Sequence, residues 1–271
     1  MAYFAQLNPI LQALLAGLFT WLCTLLGSAM VFTVKDVNEK FLAMMQGFAA
    51  GIMTAASFWS LLSPALEYAE NAESSLPAWL PVAIGFLMGG VFLRMIDKIV
   101  PHLHRIGDHG DTNVKQTSLS RMAMLFLAVT IHNIPEGMAL GVAFAAASMQ
   151  VEGATLAGAI ALTIGIGLQN IPEGSALSLP LRAEGKSRMQ AFNMGQLSAI
   201  VEPFGALVGA AAVLVITAVL PYALAFAAGA MLFVVVEELI PESQTSNYTD
   251  LATMFFLIGF IIMMILDVAL G

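Results

Sequence analysis

Long apolar runs, separated by short polar breaks, fill the chain from end to end. About 20 helical residues cross the ~30 Å hydrocarbon core of a bilayer. On that measure the runs predict eight transmembrane helices, at approximately 8–34, 42–66, 78–99, 121–148, 155–180, 190–217, 221–240 and 250–270. Only the break at 101–120 is long, and 217–221 is a tight turn. No polar stretch can fold alone. The expectation is an all-α, polytopic membrane protein whose residues 1–271 form a single transmembrane domain.

Composition supports the pattern. Apolar residues make up 59% of the chain and charged ones 10%, against roughly 25% charged in a soluble globular protein. The N-terminus lacks a basic n-region and a small-residue cleavage site, so Met1 onward is expected to be mature sequence. The lone Cys23 excludes an internal disulfide framework and a thiolate cluster. Charge then sets the orientation. Lys35 and Lys40 fall at the first break, Arg94, Lys98, Arg105, Lys115 and Arg121 in or beside the third, and Arg182, Lys186 and Arg188 at the fifth. The second and fourth breaks carry Glu67, Glu70, Glu73 and Glu152 but no base. Basic loops stay in the cytoplasm, so both termini are expected outside.

Two stretches interrupt the apolar pattern at its centre. His132-Asn133-Ile134-Pro135-Glu136-Gly137 lies in the fourth run, and Gln169-Asn170-Ile171-Pro172-Glu173-Gly174 lies in the fifth. A carboxylate at the middle of a bilayer costs about 2.5–3.5 kcal/mol on insertion scales and is functional by default. Neither run has a Lys or Arg near its middle, so the charge points to a cation from outside the chain. The two motifs are thirty-seven residues apart and cross the membrane in opposite directions, as an inverted pair with a midplane site does.

Within each motif, residues four apart share a helix face, so His132 pairs with Glu136 and Gln169 with Glu173. Asn133 and Asn170 are rotated by about 100° toward the flank. Pro135 and Pro172 cannot donate to the carbonyls of Ile131 and Leu168, and Gly137 and Gly174 admit a neighbouring helix. Imidazole, amide, carboxylate and carbonyl groups together suit a borderline or hard divalent ion. Glu202-Pro203-Phe204-Gly205 places a third acid in the sixth run, and Glu237-Glu238 stands near the end of the seventh. Protonated, hydrogen-bonded glutamates are the plainer alternative for these acids, and most of the seventeen methionines are packing. The His102, His104 and His109 loop either collects cytoplasmic metal or is an ordinary polar loop.

His-Asn-x-Pro-Glu-Gly, Gln-Asn-x-Pro-Glu-Gly and the following Glu-Pro-x-Gly together resemble the ZIP (zinc/iron-regulated transporter-like) family, most of all its short bacterial, GufA-like branch. The resemblance covers essentially the whole chain. It implies import of Zn²⁺, with some Fe²⁺, Mn²⁺ or Cd²⁺, by a homodimer in a bacterial inner membrane through an elevator-like movement. It also implies a two-metal site: Met53, His132, Glu136, Gln169 and Glu173 around one ion, and Asn133, Asn170 and Glu202 around the other, with Glu136 and Glu173 bridging. Glu67, Glu237 and Glu238 are expected along the pathway. The metal is cargo; no cofactor and no nucleic-acid partner is expected. Many relatives carry His where Gln169 and Glu237 stand. An intramembrane metalloenzyme is the alternative class, but no His-Glu-x-x-His helix is present. A proton-coupled carrier of an organic substrate is the third reading, and it wants core arginines that this chain lacks.

Overall fold

The computed structural model describes residues 2–33, 38–72, 76–99, 121–150, 154–183, 185–215, 219–244 and 247–270. The loop with His102, His104 and His109 lies outside them, as does the side chain of His132. Every regular element among the described residues is helical. A short turn, Ala2–Ala5, precedes α1 (Pro9–Ser28), which starts under an Asn8 cap with proline at its first position. Next comes α2 (Glu39–Ala56), capped by Asn38, which runs through a π-helical turn (Ser57–Leu62) into Ser63–Asn71. Then follow α3 (Trp79–Ile99), α4 (Arg121–Ser148) and α5 (Leu156–Ala183). The sixth run is two half-helices, α6a (Arg188–Ser198) and α6b (Val201–Val215). Finally α7 (Leu220–Val234) enters a second π turn, Val235–Leu239, and α8 spans Thr249–Leu270.

Among the described residues, five segments are long and apolar enough to cross a membrane: Pro9–Phe32, Glu39–Asn71, Arg188–Val215, Leu220–Leu239 and Thr249–Ala269. Trp79–Met95 is a shorter apolar helix. The 28 residues of α5 are long enough too, but Gln169, Asn170 and Glu173 dilute its apolar character. The periphery is greasy: Leu87, Phe204, Val215 and Val268 are all exposed. An apolar outer surface over a core that buries Asn133, Glu136 and Glu202 is the arrangement a lipid solvent demands.

Glycines decide which helices touch backbone to backbone. A Cβ on Gly27 would overlap the carbonyl of Ile171, and one on Gly174 that of Thr24, which seats α1 on α5. Gly137 and Gly141 of α4 receive the carbonyls of Glu202 and Ala206 in α6b, while Gly205 lies against Ile134. Gly17 of α1 lies against Pro203, so α1, α4, α5 and α6 share one continuous set of close contacts. The remaining helices are joined by glycine in two pairs, and α7 also packs on the π turn of α2. Gly51 meets Phe256 and Gly259 meets Phe48, binding α2 to α8; Gly89 meets Phe226 and Gly229 meets Phe86, binding α3 to α7. Without a hydrophobic drive in lipid, this close approach is what holds helices together.

Adding a side chain at these notches forces the backbones apart. Gly51→Val and Gly229→Val are each expected to cost about 1–3 kcal/mol, read as a lowered unfolding temperature in detergent. Gly90→Ala is the control: its Cβ would meet nothing nearer than 3.9 Å, and its melting temperature should stay at the parent's.

Candidate metal centre

Both prolines lie inside unbroken helices, Pro135 in α4 and Pro172 in α5. Their motif glycines clasp α6b and α1 respectively, so the polar residues beside them are drawn to one place. Asn133, Asn170 and Glu202 are fully enclosed, and Glu136 and Gln169 nearly so; Glu173 is half-buried. Gln169 Nε2 donates to Glu136 Oε1, which ties α5 to α4. Asn170 Nδ2 donates to Glu202 Oε1 and Oε2 at 2.9 and 3.0 Å and to the Thr20 carbonyl at 3.1 Å. One amide thus joins α1, α5 and α6b. The Thr20 hydroxyl itself donates to the Gly17 carbonyl within α1, at 3.1 Å.

Glu202 is not in the middle of a continuous helix, as its place in the sixth run suggests. The α-helix stops at Ser198, turns through Ala199 and Ile200, and restarts at Val201, with Glu202 in the new first turn. Its N–H reaches only the Ala199 carbonyl, at 3.0 Å. Pro203 is the cause: without an N–H it fits a first turn and not an interior. A carboxylate at a helix N-terminus meets the positive end of the backbone dipole, and broken spanning helices are where transporters hold their substrates.

Several buried polar atoms here have no hydrogen-bond partner among the described residues: Asn133 Oδ1 and Nδ2, Glu136 Oε2 and Gln169 Oε1. Unpaired groups of this kind cost about 1–3 kcal/mol each. Three of the four are oxygens, and they come from α4 and α5. No group of three His, Cys, Asp or Glu residues is gathered tightly enough for a cage among the described residues. Amides stand between the acids. Met53 is also buried, in α2.

The outlying residues separate. Glu67 lines a cavity of about 140 Å³ with Ser60, Ser63, Thr155 and Asp267. Asp267 is 8% exposed and accepts a hydrogen bond from Ser60 Oγ. Glu238 is buried in the second π turn. Glu237 instead faces outward and pairs with Arg94 at 3.5 Å. Thr20 is the residue that sequence reasoning missed. Its signal was present as Thr20, Thr24 and Ser28, polar positions four apart along α1 that are all buried.

A family model described as ZIP Zinc transporter matches residues 104–267. The chain belongs to the ZIP family. It is 41% identical to the zinc transporter ZIP11 of Xenopus tropicalis, over 97% of this chain and 98% of that protein. It is 39% identical to the zinc transporter GufA of Myxococcus xanthus, over 95% and 98%. The zinc transporter ZIPB of Bordetella bronchiseptica is 36% identical, over 96% of this chain and 81% of its own length. These are transporters and not enzymes. In this ZIP chain the family match includes both proline-glutamate motifs and Glu202, and the full-length relatives extend across the helix that bears Met53.

The two asparagines differ in what they hold, and so in what their loss costs. Asn170→Leu deprives buried Glu202 of its donor and is expected to destabilise the metal-free protein by about 1–3 kcal/mol. Asn133→Leu removes an amide bonded to nothing among the described residues and should leave stability level or raise it. Thermal unfolding after chelation compares them.

Proposed function

We propose that this chain carries divalent metal, zinc foremost, into the cytoplasm through the polar centre of α4, α5 and α6. The observation that carries the reading is the set of buried oxygens on Asn133, Glu136 and Gln169 without partners, beside Glu202 and Asn170. Oxygens left over by the protein's own hydrogen bonding are what a divalent cation needs. The names of the relatives, zinc transporters, agree.

Two ions fit the charge. Glu136, Glu173 and Glu202, all ionised, carry three negative charges; one divalent ion leaves a single negative charge and a second leaves a single positive. One ion is held by Met53, His132, Glu136, Gln169 and Glu173. The other is held by Asn133, Asn170 and Glu202, with Glu136 and Glu173 bridging. To serve there, Asn170 keeps Nδ2 on Thr20 and Glu202 and offers Oδ1. Thioether, imidazole and oxygen ligands suit Zn²⁺ and admit Cd²⁺, Fe²⁺ and Mn²⁺.

The chain crosses the membrane eight times with both termini outside, the basic breaks lying in the cytoplasm. The cavity with Glu67 and Asp267 is then the outer mouth, and Glu238 lies toward the cytoplasmic end. Two sets of helices move against each other as bodies: α1, α4, α5 and α6 carry the ions, and α2, α3, α7 and α8 form the frame, which pairs with a second copy. A bacterial inner membrane is the setting.

In proteoliposomes the parent should take up radiolabelled Zn²⁺ saturably. Glu136→Ala and Glu173→Ala should each lower uptake by more than about tenfold while eluting as folded protein; near-parental uptake by either would end the reading. Orientation is tested separately on a Cys23→Ser background. Lys186→Cys should be labelled by an impermeant thiol reagent only from the cytoplasmic side and Glu152→Cys only from the other.

A further inference from the structure

The glycine contacts are repeated with the same spacing in the two ends of the chain. Gly27 of α1 lies against Ile171, and Gly205 of α6b lies against Ile134. Gly51 of α2 receives Phe256, and Gly229 of α7 receives Phe86; Gly259 receives Phe48, and Gly89 receives Phe226. Gly27 with Gly205, Gly51 with Gly229 and Phe48 with Phe226 are each 178 positions apart. Phe86 with Phe256 and Gly89 with Gly259 are each 170 apart, and Ile134 with Ile171 are 37 apart. So α1, α2 and α3 correspond to α6, α7 and α8, and α4 to α5, residue for residue. The π turns obey the same register, Ser57 opening one and Val235 the other.

This register assigns a partner to Met53. The residue 178 positions later is Met231. Each methionine is two residues after a glycine notch and four before a π turn, and each is buried, at 2% and 0% exposure. Helix α2 packs against α5, and α7 packs against α4. Met53 thus lies on the helix packed against α5, which bears the Gln169 motif, and Met231 on the helix packed against α4, which bears the His132 motif.

We infer that Met231 is a second thioether ligand, which replaces Met53 at the same carboxylates when the ion-carrying body has moved to its other position. An inverted repeat supplies alternating access by converting one arrangement into its twofold image. In that image α4 and α5 exchange neighbours, so the frame residue beside the ion changes from Met53 to Met231. The carried ligands travel with the ion, while the sulfur is handed from one frame helix to the other. The inference rests on the metal-transport reading.

The test uses Cd²⁺, a soft ion for which a thioether matters, in proteoliposomes of a single orientation, with transport measured from each face. Leucine replaces methionine at nearly constant volume and without sulfur. Met231→Leu should raise the KM for Cd²⁺ by at least about threefold from one face and leave it unchanged from the other. Met53→Leu should do so from the opposite face. Met231→Ile runs in parallel, so that poor folding of one variant does not decide the outcome. A packing role would lower the maximal rate or the stability without regard to face. Equal effects from both faces, or none, with Glu173→Ala inactive in the same vesicles, would overturn the assignment of Met231. An active Glu173→Ala would overturn the transport reading itself, and this inference with it.

Discussion

Carboxylates at the centre of a lipid-facing bundle need a counter-charge or a proton, and among the described residues the chain answers them with dipoles. Among the described residues, Glu136 receives an amide from Gln169, and Glu202 receives one from Asn170. These donors orient the acids without cancelling them. An arginine in their place would have locked the site with a permanent cation. Dipoles keep the acids in position and leave their charge available, which is the condition for a site that must both accept an ion and give it up.

The rest of the architecture follows from holding those groups still. Amides position carboxylates well only if the helices bearing them approach to backbone contact, and the motif glycines permit that on both sides. Pro203 ends one half-helix and starts the next, which aims Glu202 into the centre. Each motif therefore contains its own chemistry and its own packing device within six residues.

That compactness is why so much of the site was legible in the sequence. Ligand types, proline and glycine occur together in Asn133–Gly137 and Asn170–Gly174, and periodicity placed the acids on facing helices. The break at Ala199 and Ile200 was hidden because the stretch remains apolar across it, and only Pro203 hinted at a first turn. Thr20 meets Asn170 through its backbone carbonyl, and only its place in the row of Thr20, Thr24 and Ser28 hinted at it. Glu237 and Glu238 read alike in sequence, but consecutive helical residues point to different sides: Glu238 is buried and Glu237 faces Arg94. The burial of Asp267 was not legible, since its partner Ser60 is far away along the chain.

The correspondence between the halves fails at one place that matters. In the register that pairs Gly27 with Gly205, Glu202 corresponds to Thr24, whose carbonyl lies against Gly174 as that of Glu202 lies against Gly137. The carbonyls at these two notches are seated alike because glycine leaves no room for them to differ, although α1 runs unbroken where α6 turns at Ala199 and Ile200; the side chains are under no such restriction. A duplicated ancestor would have been free to keep the acid in one copy and lose it in the other without disturbing a single helix contact. The present molecule then pairs matching helix contacts with a lopsided charge, an acid standing on the side of α6b and a neutral threonine on the side of α1.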